Sequence, residues 1–190
     1  LFDSTVHSDP DAGGLINYSY LSGENITKIQ EGRPLFVRTP NSKMNLANFF
    51  LTQLYAAFAP LKIGMDILLN EEHVQTDVMV AQGGLFGTPV IGQQVLANAL
   101  NIPITIMNTA SEGGPWGMAV LAKYAETYGK ESLADYLDEK VFKNPESMTL
   151  TPEPAGVKGY ESFITRYQAG LPVEALAGDD IKEREEKGSK

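Results

Sequence analysis

Two consecutive units of strand, glycine turn and helix in residues 76–128 constrain the fold of this chain more than any other feature. Residues 77–81 contain four adjacent apolar side chains, which is typical of a strand covered on both faces. Gly83 and Gly84 come at the carboxyl end of this strand, where they permit positive φ and close approach of a ligand to the backbone. This unit therefore predicts a strand inside an α/β sheet.

The second unit repeats the order of the first. Thr88 and Pro89 have the N-cap and first-turn chemistry that opens the first helix, and a short apolar strand over residues 104–107 follows that helix. Ser111 or a neighbour should cap the second helix, and Gly113 and Gly114 lie in the first turn of that helix. Ligands of open α/β sheets bind at the carboxyl ends of the strands, and helix N-termini favour phosphate. Both glycine turns are thus predicted at one ligand-binding edge.

The order of these motifs resembles the C-terminal domain of the FGGY carbohydrate kinases, the group that contains xylulokinase, ribulokinase and glycerol kinase. The resemblance rests on the Gly83-Gly84 pair after an apolar strand and on Glu112, Gly117 and Ala119 after the second strand. It implies an α/β, actin-like ATPase (ribonuclease H-like) domain with a mixed sheet flanked by helices. The chain departs from the family at Pro115 and Met118, where alanine is usual.

A second stretch near the start of the chain carries the same resemblance. Residues 20–24 read Tyr-Leu-Ser-Gly-Glu and are similar to a family segment that continues with arginine, where this chain has Asn25. Their Ser-Gly-Glu part looks closer to the xylulokinase version than to that of glycerol kinase. A ketopentose such as xylulose is therefore the preferred substrate, although Glu24 is also explained as a solvated turn residue.

The resemblance implies a site for an adenine nucleotide, with ATP and Mg²⁺ as cofactors. Glycines and small polar residues at the two turns are expected to border the nucleotide, with Thr88 donating to ribose or phosphate. The predicted binding residues are Gly83, Gly84, Leu85, Thr88, Glu112 and Gly113. A tight turn alone would also explain the glycines, since motifs this short arise by chance.

No catalytic residue is predicted in this chain. A sugar kinase needs a carboxylate that accepts the hydroxyl proton, and in this family that aspartate and most sugar contacts belong to the N-terminal half. The chain opens with Leu1, so we expect it to be a fragment of a longer protein. Its expected partners are ATP or ADP, a sugar substrate and the N-terminal half of the same protein. The fragment is expected to have no turnover by itself.

Two other functions compete with the kinase. One is a non-catalytic, actin-like module that binds nucleotide for switching or regulation, because fold alone does not decide activity. The other is a Rossmann dehydrogenase, which is weak because Gly83-Gly84-x-x-Gly87 lacks the Gly-x-Gly-x-x-Gly spacing.

Composition excludes several partner classes. The formal net charge of −9, with only 15 lysines and arginines, argues against a nucleic-acid surface. No apolar run is long enough to predict a membrane span, and two isolated histidines without cysteine predict no metal site. The resemblance implies a cytoplasmic location. Formation of a homodimer is an alternative that the sequence does not decide.

The remaining pattern predicts the domain limits and several further elements. Residues 1–13 are predicted as a linker or severed interdomain segment, 14–177 as the nucleotide-binding domain and 178–190 as a charged tail. The elements predicted within the domain are a strand over 14–20, a helix from Asn41 or Ser42 to Glu72 kinked or divided at Pro60, a helix over 132–142, a loop over 144–156, and a last helix around 160–167 ended by Gly170 and Pro172.

Overall fold

A computed structural model of the chain describes residues 2–87, 90–127, 129–143 and 146–182. The chain divides into two compact units. The first comprises Leu1–Gln75, Asn98–Leu100 and Glu153–Lys190, and the second comprises Thr76–Ala97 and Asn101–Pro152. In the described ranges, none of the helices is both long and apolar enough to cross a membrane.

Two long helices and a small antiparallel sheet build the first unit. Strands β1 (Ile16–Tyr18) and β2 (Leu35–Val37) pair with Ile16 opposite Val37. Helix α1 spans Leu46–Asp66 and continues as a π-helical turn over Ile67–Glu71. The second long helix, named α5 for its place in the chain, spans Pro154–Asp180.

Helix α1 begins later than predicted. Its cap is Asn45, whose side chain accepts a hydrogen bond of 2.8 Å from the backbone N–H of Asn48, instead of Asn41 or Ser42. Ser42 closes a separate turn through its backbone N–H to the Thr39 carbonyl. Pro60 lies inside the helix without dividing it, and burial of the neighbouring Ala59 and Phe58 side chains stabilises the continuous helix.

An aromatic cluster forms the core of the first unit. The ring of Tyr55 on α1 lies 4.8 Å from that of Tyr160 and 5.1 Å from that of Phe163, both on α5. The ring of Tyr18 of β1 lies 4.7 Å from that of Tyr167 at a tilt of 42°, and its hydroxyl donates a 2.7 Å hydrogen bond to the Tyr167 carbonyl. Burial raises the pKa of these tyrosines above the usual phenol range. The predicted apolar face of the last helix is confirmed.

The end predicted for that last helix is wrong. Helix α5 passes through Gly170 and Pro172 and ends at Asp180, because its second half also packs. A Cβ on Gly170 would overlap the Tyr18 hydroxyl, so this glycine allows a close helix–strand contact. The fully buried Glu174 accepts a 2.7 Å hydrogen bond from the backbone N–H of Arg33.

The segment predicted as a linker packs against α1. It contains short 3₁₀ helices at Phe2–His7 and Ala12–Gly14. Asn48 accepts from the Asp9 backbone N–H and donates to the Asp9 carboxylate, at 2.8 and 2.9 Å respectively. The Tyr55 hydroxyl donates to the Pro10 carbonyl. The domain limits stay a prediction.

A mixed sheet forms the centre of the second unit. Strands β3 (Met79–Ala81), β4 (Ile104–Met107) and β5 (Ser147–Leu150) lie in the order β3-β4-β5. The β3–β4 pair is parallel and the β4–β5 pair is antiparallel. Strand β4 has the predicted bounds, whereas β5 lies in the stretch that was predicted to be a loop.

The strand predicted over residues 77–81 is β3, and the prediction that it is covered on both faces is wrong. It is the edge of the three-stranded sheet, and the side chains of Val78 and Val80 are 49% and 59% exposed. Adjacent apolar residues therefore do not report burial here.

The helices of the second unit begin close to the glycine turns. Helix α2 spans Ile91–Leu100, begins after the predicted Thr88 cap and ends at Asn101, whose left-handed conformation is typical of a helix end. Helix α3 spans Gly113–Ala125 and has no side-chain cap, contrary to the expectation for Ser111 or a neighbour. Helix α4 spans Leu133–Tyr136, with Ser132 accepting from the Asp135 N–H, and continues as a π-helical turn over Leu137–Val141.

Candidate functional site

The two glycine turns meet at one edge of the mixed sheet. Strands β3 and β4 are parallel, with Ala81 opposite Ile106, so the turns that follow them lie side by side. The backbone N–H of Gly83 donates a 2.8 Å hydrogen bond to the Ala110 carbonyl. A Cβ on Gly87 would stand 3.2 Å from that of Ser111. The predicted shared edge is confirmed as a matter of geometry.

Close contact between the turns explains one of the predicted glycines. A Cβ on Gly113 would overlap the Gln82 side chain. Glycine at the start of α3 therefore lets the second turn approach the first.

The Gly83-Gly84 pair lies open at this edge. Gly83 has φ of 129°, a conformation that L side chains rarely adopt. Apart from its chain neighbours and the backbone of its own 3₁₀ turn, the described residues place no heavy atom within 4 Å of the position of a Cβ on Gly84. Internal packing therefore does not account for glycine at this position, which leaves room for a ligand against the backbone.

The other predicted site residues occupy different surroundings. Leu85 packs on α2, since a Cβ on Gly92 would stand 3.2 Å from its Cγ. Glu112 is exposed, and its backbone N–H donates to the Thr109 carbonyl at 3.0 Å. Thr88 lies outside the described residues.

A cleft of about 360 Å³ opens beside the two turns. Its walls are mostly apolar and come from both turns, the end of β4 and the start of β5. They comprise Phe86, Gly87, Ile106, Met107, Asn108, Ala110, Ser111, Glu146, Ser147 and Met148. None of the predicted binding residues is in this lining, so sequence reasoning found the neighbouring backbone and missed the cleft itself.

Asn108 and Glu146 are polar lining residues that sequence reasoning missed. Asn108 directly follows β4, at the position where polar ligand contacts are common in α/β sheets, so its place was a usable signal. Glu146 gave no such signal, because its strand was itself predicted to be a loop.

Gln93 is a third residue whose role was missed. It is fully buried on α2, and its Nε2 donates to the carbonyls of Ile104 and Met148, at 2.7 and 2.9 Å. These bonds hold α2 against the β4 and β5 backbone that forms the cleft wall. A glutamine flanked by buried apolar positions of a helix was the available signal.

The described ranges contain no group of three or more histidine or acidic side chains that could hold a metal ion. Trp116 of α3 packs on Phe142 with 5.7 Å between ring centroids. The described site is thus an open glycine backbone beside an apolar cleft with a few polar groups, which is the usual make-up of a small-molecule site.

Comparison with known proteins assigns the family. The family model for the C-terminal domain of the FGGY carbohydrate kinases matches residues 2–126, which is more than half of the chain. The chain belongs to the FGGY family. None of the curated proteins compared with it matches.

Solved structures of FGGY kinases share the fold. A xylulose kinase from Rhodospirillum rubrum is 16% identical with a TM-score of 0.67, and the match covers 90% of this chain and 33% of that one. A gluconate kinase and a ligand-bound xylulose kinase, both from Lactobacillus acidophilus, are each 18% identical with a TM-score of 0.72, over 95% of this chain and 35% of theirs. The chain spans about a third of the length of these kinases. The predicted actin-like ATPase fold, with a mixed sheet flanked by helices, is confirmed.

Proposed function

We propose that this chain is the nucleotide-binding C-terminal domain of an ATP-dependent sugar kinase that transfers phosphate from ATP to a carbohydrate hydroxyl. FGGY kinases use ATP as a substrate. The observation that carries the proposal is the Gly83-Gly84 backbone, open to a ligand at the edge where β3 and β4 end and beside the apolar cleft. A nucleotide needs both features, a wall for the base and bare backbone for the sugar and phosphates.

In this proposal Gly83, Gly84 and Leu85 border the adenosine, whose ribose lies along the two glycines and whose base lies in the neighbouring cleft. A side chain at Gly84 would fill the space that the nucleotide needs, and Gly113 keeps the second turn close enough to border it. The exposed Glu112 accepts from ribose hydroxyls, as carboxylates do in other nucleotide sites. Thr88 donates to ribose or phosphate.

Mg²⁺, when bound with the nucleotide, would neutralise the charge of the phosphates. Magnesium commonly keeps several waters and binds mainly through substrate phosphates. That agrees with the lack of an acidic cluster among the residues the structure describes. This chain's own part is to orient the nucleotide and to exclude water from one side of it.

The catalytic base and most sugar contacts belong, in this proposal, to an N-terminal half, the second partner of the site. The kinase acts in the cytoplasm, and its sugar is a ketopentose such as xylulose. The similarity of residues 22–24 to the xylulokinase segment and the presence of xylulose kinases among the structural neighbours support that sugar. The isolated chain has no kinase turnover, since it holds only the nucleotide part of the site.

Titration of the 190-residue chain with MgADP tests this proposal. We expect saturable binding of one nucleotide, because the glycine backbone and the cleft belong to one compact unit. Calorimetry measures the binding, and Trp116, the chain's single tryptophan, gives an independent fluorescence signal from α3. Absence of binding by a chain whose circular dichroism shows it to be folded would refute the proposal.

A further inference from the structure

The second half of α5 docks on residues 31–33 of the same compact unit. The Arg33 backbone N–H donates to Glu174 Oε1 at 2.7 Å, and the Arg33 Nε donates to the Ile181 carbonyl. A Cβ on Gly178 would overlap the Glu31 carbonyl, so the helix lies directly against this loop. Glu174 is thus the side chain that ties the helix to the loop backbone.

Only one oxygen of this fully buried carboxyl group is hydrogen-bonded. Glu174 Oε2 has no partner among the described residues. An ionised carboxylate in such a place lacks the donors that would replace its hydration, and buried groups of this kind take up a proton instead. Burial raises the pKa of Glu174 above its usual range, and the Arg33 N–H and guanidinium lower that pKa by less. The surroundings therefore favour the neutral carboxylic acid.

The Arg33 guanidinium is already engaged with other groups. It forms an ion pair with the Glu31 carboxylate and donates to the carbonyls of Gly32 and Ile181. The hydrogen bond from Arg33 lowers the pKa of Glu31 below its usual range, so Glu31 titrates at a lower pH than Glu174. Arg33 therefore leaves a charge on Glu174 incompletely compensated.

Two tyrosines also face Glu174. Tyr18 lies on β1 and Tyr20 follows that strand, and Gly170, one helical turn before Glu174, lies against the Tyr18 hydroxyl. Burial raises the pKa of both phenols above their usual range, so both stay neutral at physiological pH. Among the described residues that face one another here, Glu174 is therefore the group whose charge changes above the ordinary range of glutamate and below that of tyrosine.

We propose that Glu174 is a proton-sensitive switch: its protonated carboxyl group holds the second half of α5 on residues 31–33, and loss of that proton loosens the contact. In the unfolded chain the same group keeps its proton only below about pH 4.3, the ordinary pKa of glutamate. Between that pH and the higher pKa of the folded chain, the folded state binds one proton more than the unfolded state. The stability that this proton contributes is therefore lost as the pH rises.

A Glu174→Gln chain tests the switch by urea unfolding at several pH values between about 5 and 8. Glutamine keeps an oxygen that accepts from the Arg33 N–H but has no titrating proton. The unfolding constant of wild type divided by that of the variant should rise with pH, by at most about tenfold per pH unit, because a single proton is linked to folding. Glu161→Gln is the matched control, since Glu161 is exposed on the first half of α5, and its ratio should not change with pH.

Amide hydrogen exchange followed by mass spectrometry locates the effect in the wild-type chain. Protection of residues 174–180 should fall with rising pH relative to that of residues 160–167, which lie on the same helix and serve as an internal reference. In Glu174→Gln the relative protection of the two halves should stay constant.

A ratio of unfolding constants that is independent of pH for Glu174→Gln would overturn the inference, because no proton would then be linked to this residue. The same rise in the Glu161→Gln control would also overturn it, since the effect would then belong to carboxylates in general. Equal changes of protection in both halves of α5 would show that the second half is not the part released, which overturns the inference as well.

Discussion

A Gly84→Val chain should fold like wild type and bind MgADP at least about tenfold more weakly, a loss of about 1.4 kcal/mol or more. Gly84 is not in the left-handed region, and outside its own turn no described residue has an atom within 4 Å of its missing Cβ. Outside that turn, valine therefore meets no described atom near its Cβ in the free chain. Its side chain instead occupies the space that the nucleotide needs. Calorimetric titration measures the affinity, and thermal unfolding verifies the fold.

Gly64→Val is the matched control. Gly64 lies on α1 in the first unit, where a Cβ would make only ordinary contacts with Ile26, the nearer at 3.7 Å. This variant should bind MgADP like wild type. If Gly84→Val also binds like wild type, the bare backbone at Gly84 does not contact the nucleotide, and the proposed site is misplaced.

A Gln93→Met chain should lose about 1–3 kcal/mol of unfolding free energy, because the buried hydrogen bond to the Ile104 carbonyl is lost. The bond to the Met148 carbonyl is only partly buried, and the substitution also removes the buried Gln93 Oε1, which has no hydrogen-bond partner among the described residues. Methionine keeps an unbranched side chain of similar length but cannot donate to the carbonyls of Ile104 and Met148. The cost should appear in the second unit, which holds the cleft. Urea unfolding followed by circular dichroism measures it.

The neighbouring glutamine provides the control for this substitution. Gln94 donates to the Thr151 carbonyl through an exposed hydrogen bond of 2.9 Å. Gln94→Met should therefore stay within about 0.5 kcal/mol of wild type, the usual range for surface substitutions. Equal stabilities of the two variants would show that the bonds of Gln93 contribute little.

Local signals in the sequence were sufficient to predict the frame of the site. Strand β4 and the end of α2 at Asn101 follow from an apolar run and a helix-stop residue, which act over a few neighbours. Two strands that each lead into a glycine turn and a helix predicted the shared edge. The position of Gly83 and Gly84 at that edge needed no knowledge of distant contacts.

Features that depend on distant contacts could not be predicted in this way. Strand β5 forms only because β4 offers it a partner, so the pairing of Glu146 with Asn108 was hidden as well. Helix α5 continues past Pro172 because its second half is anchored, which local helix-breaking rules do not consider. Val80 shows the reverse case, because the apolar run around it predicted a buried strand and the residue is exposed.

The position of the nucleotide is the central claim, and a crystal structure of the chain with MgADP bound tests it most directly. Adenine density is expected in the cleft between Phe86 and Asn108, with the sugar and phosphates along Gly83 and Gly84. Density for ADP at another surface, with this cleft and the glycine backbone empty, would contradict it.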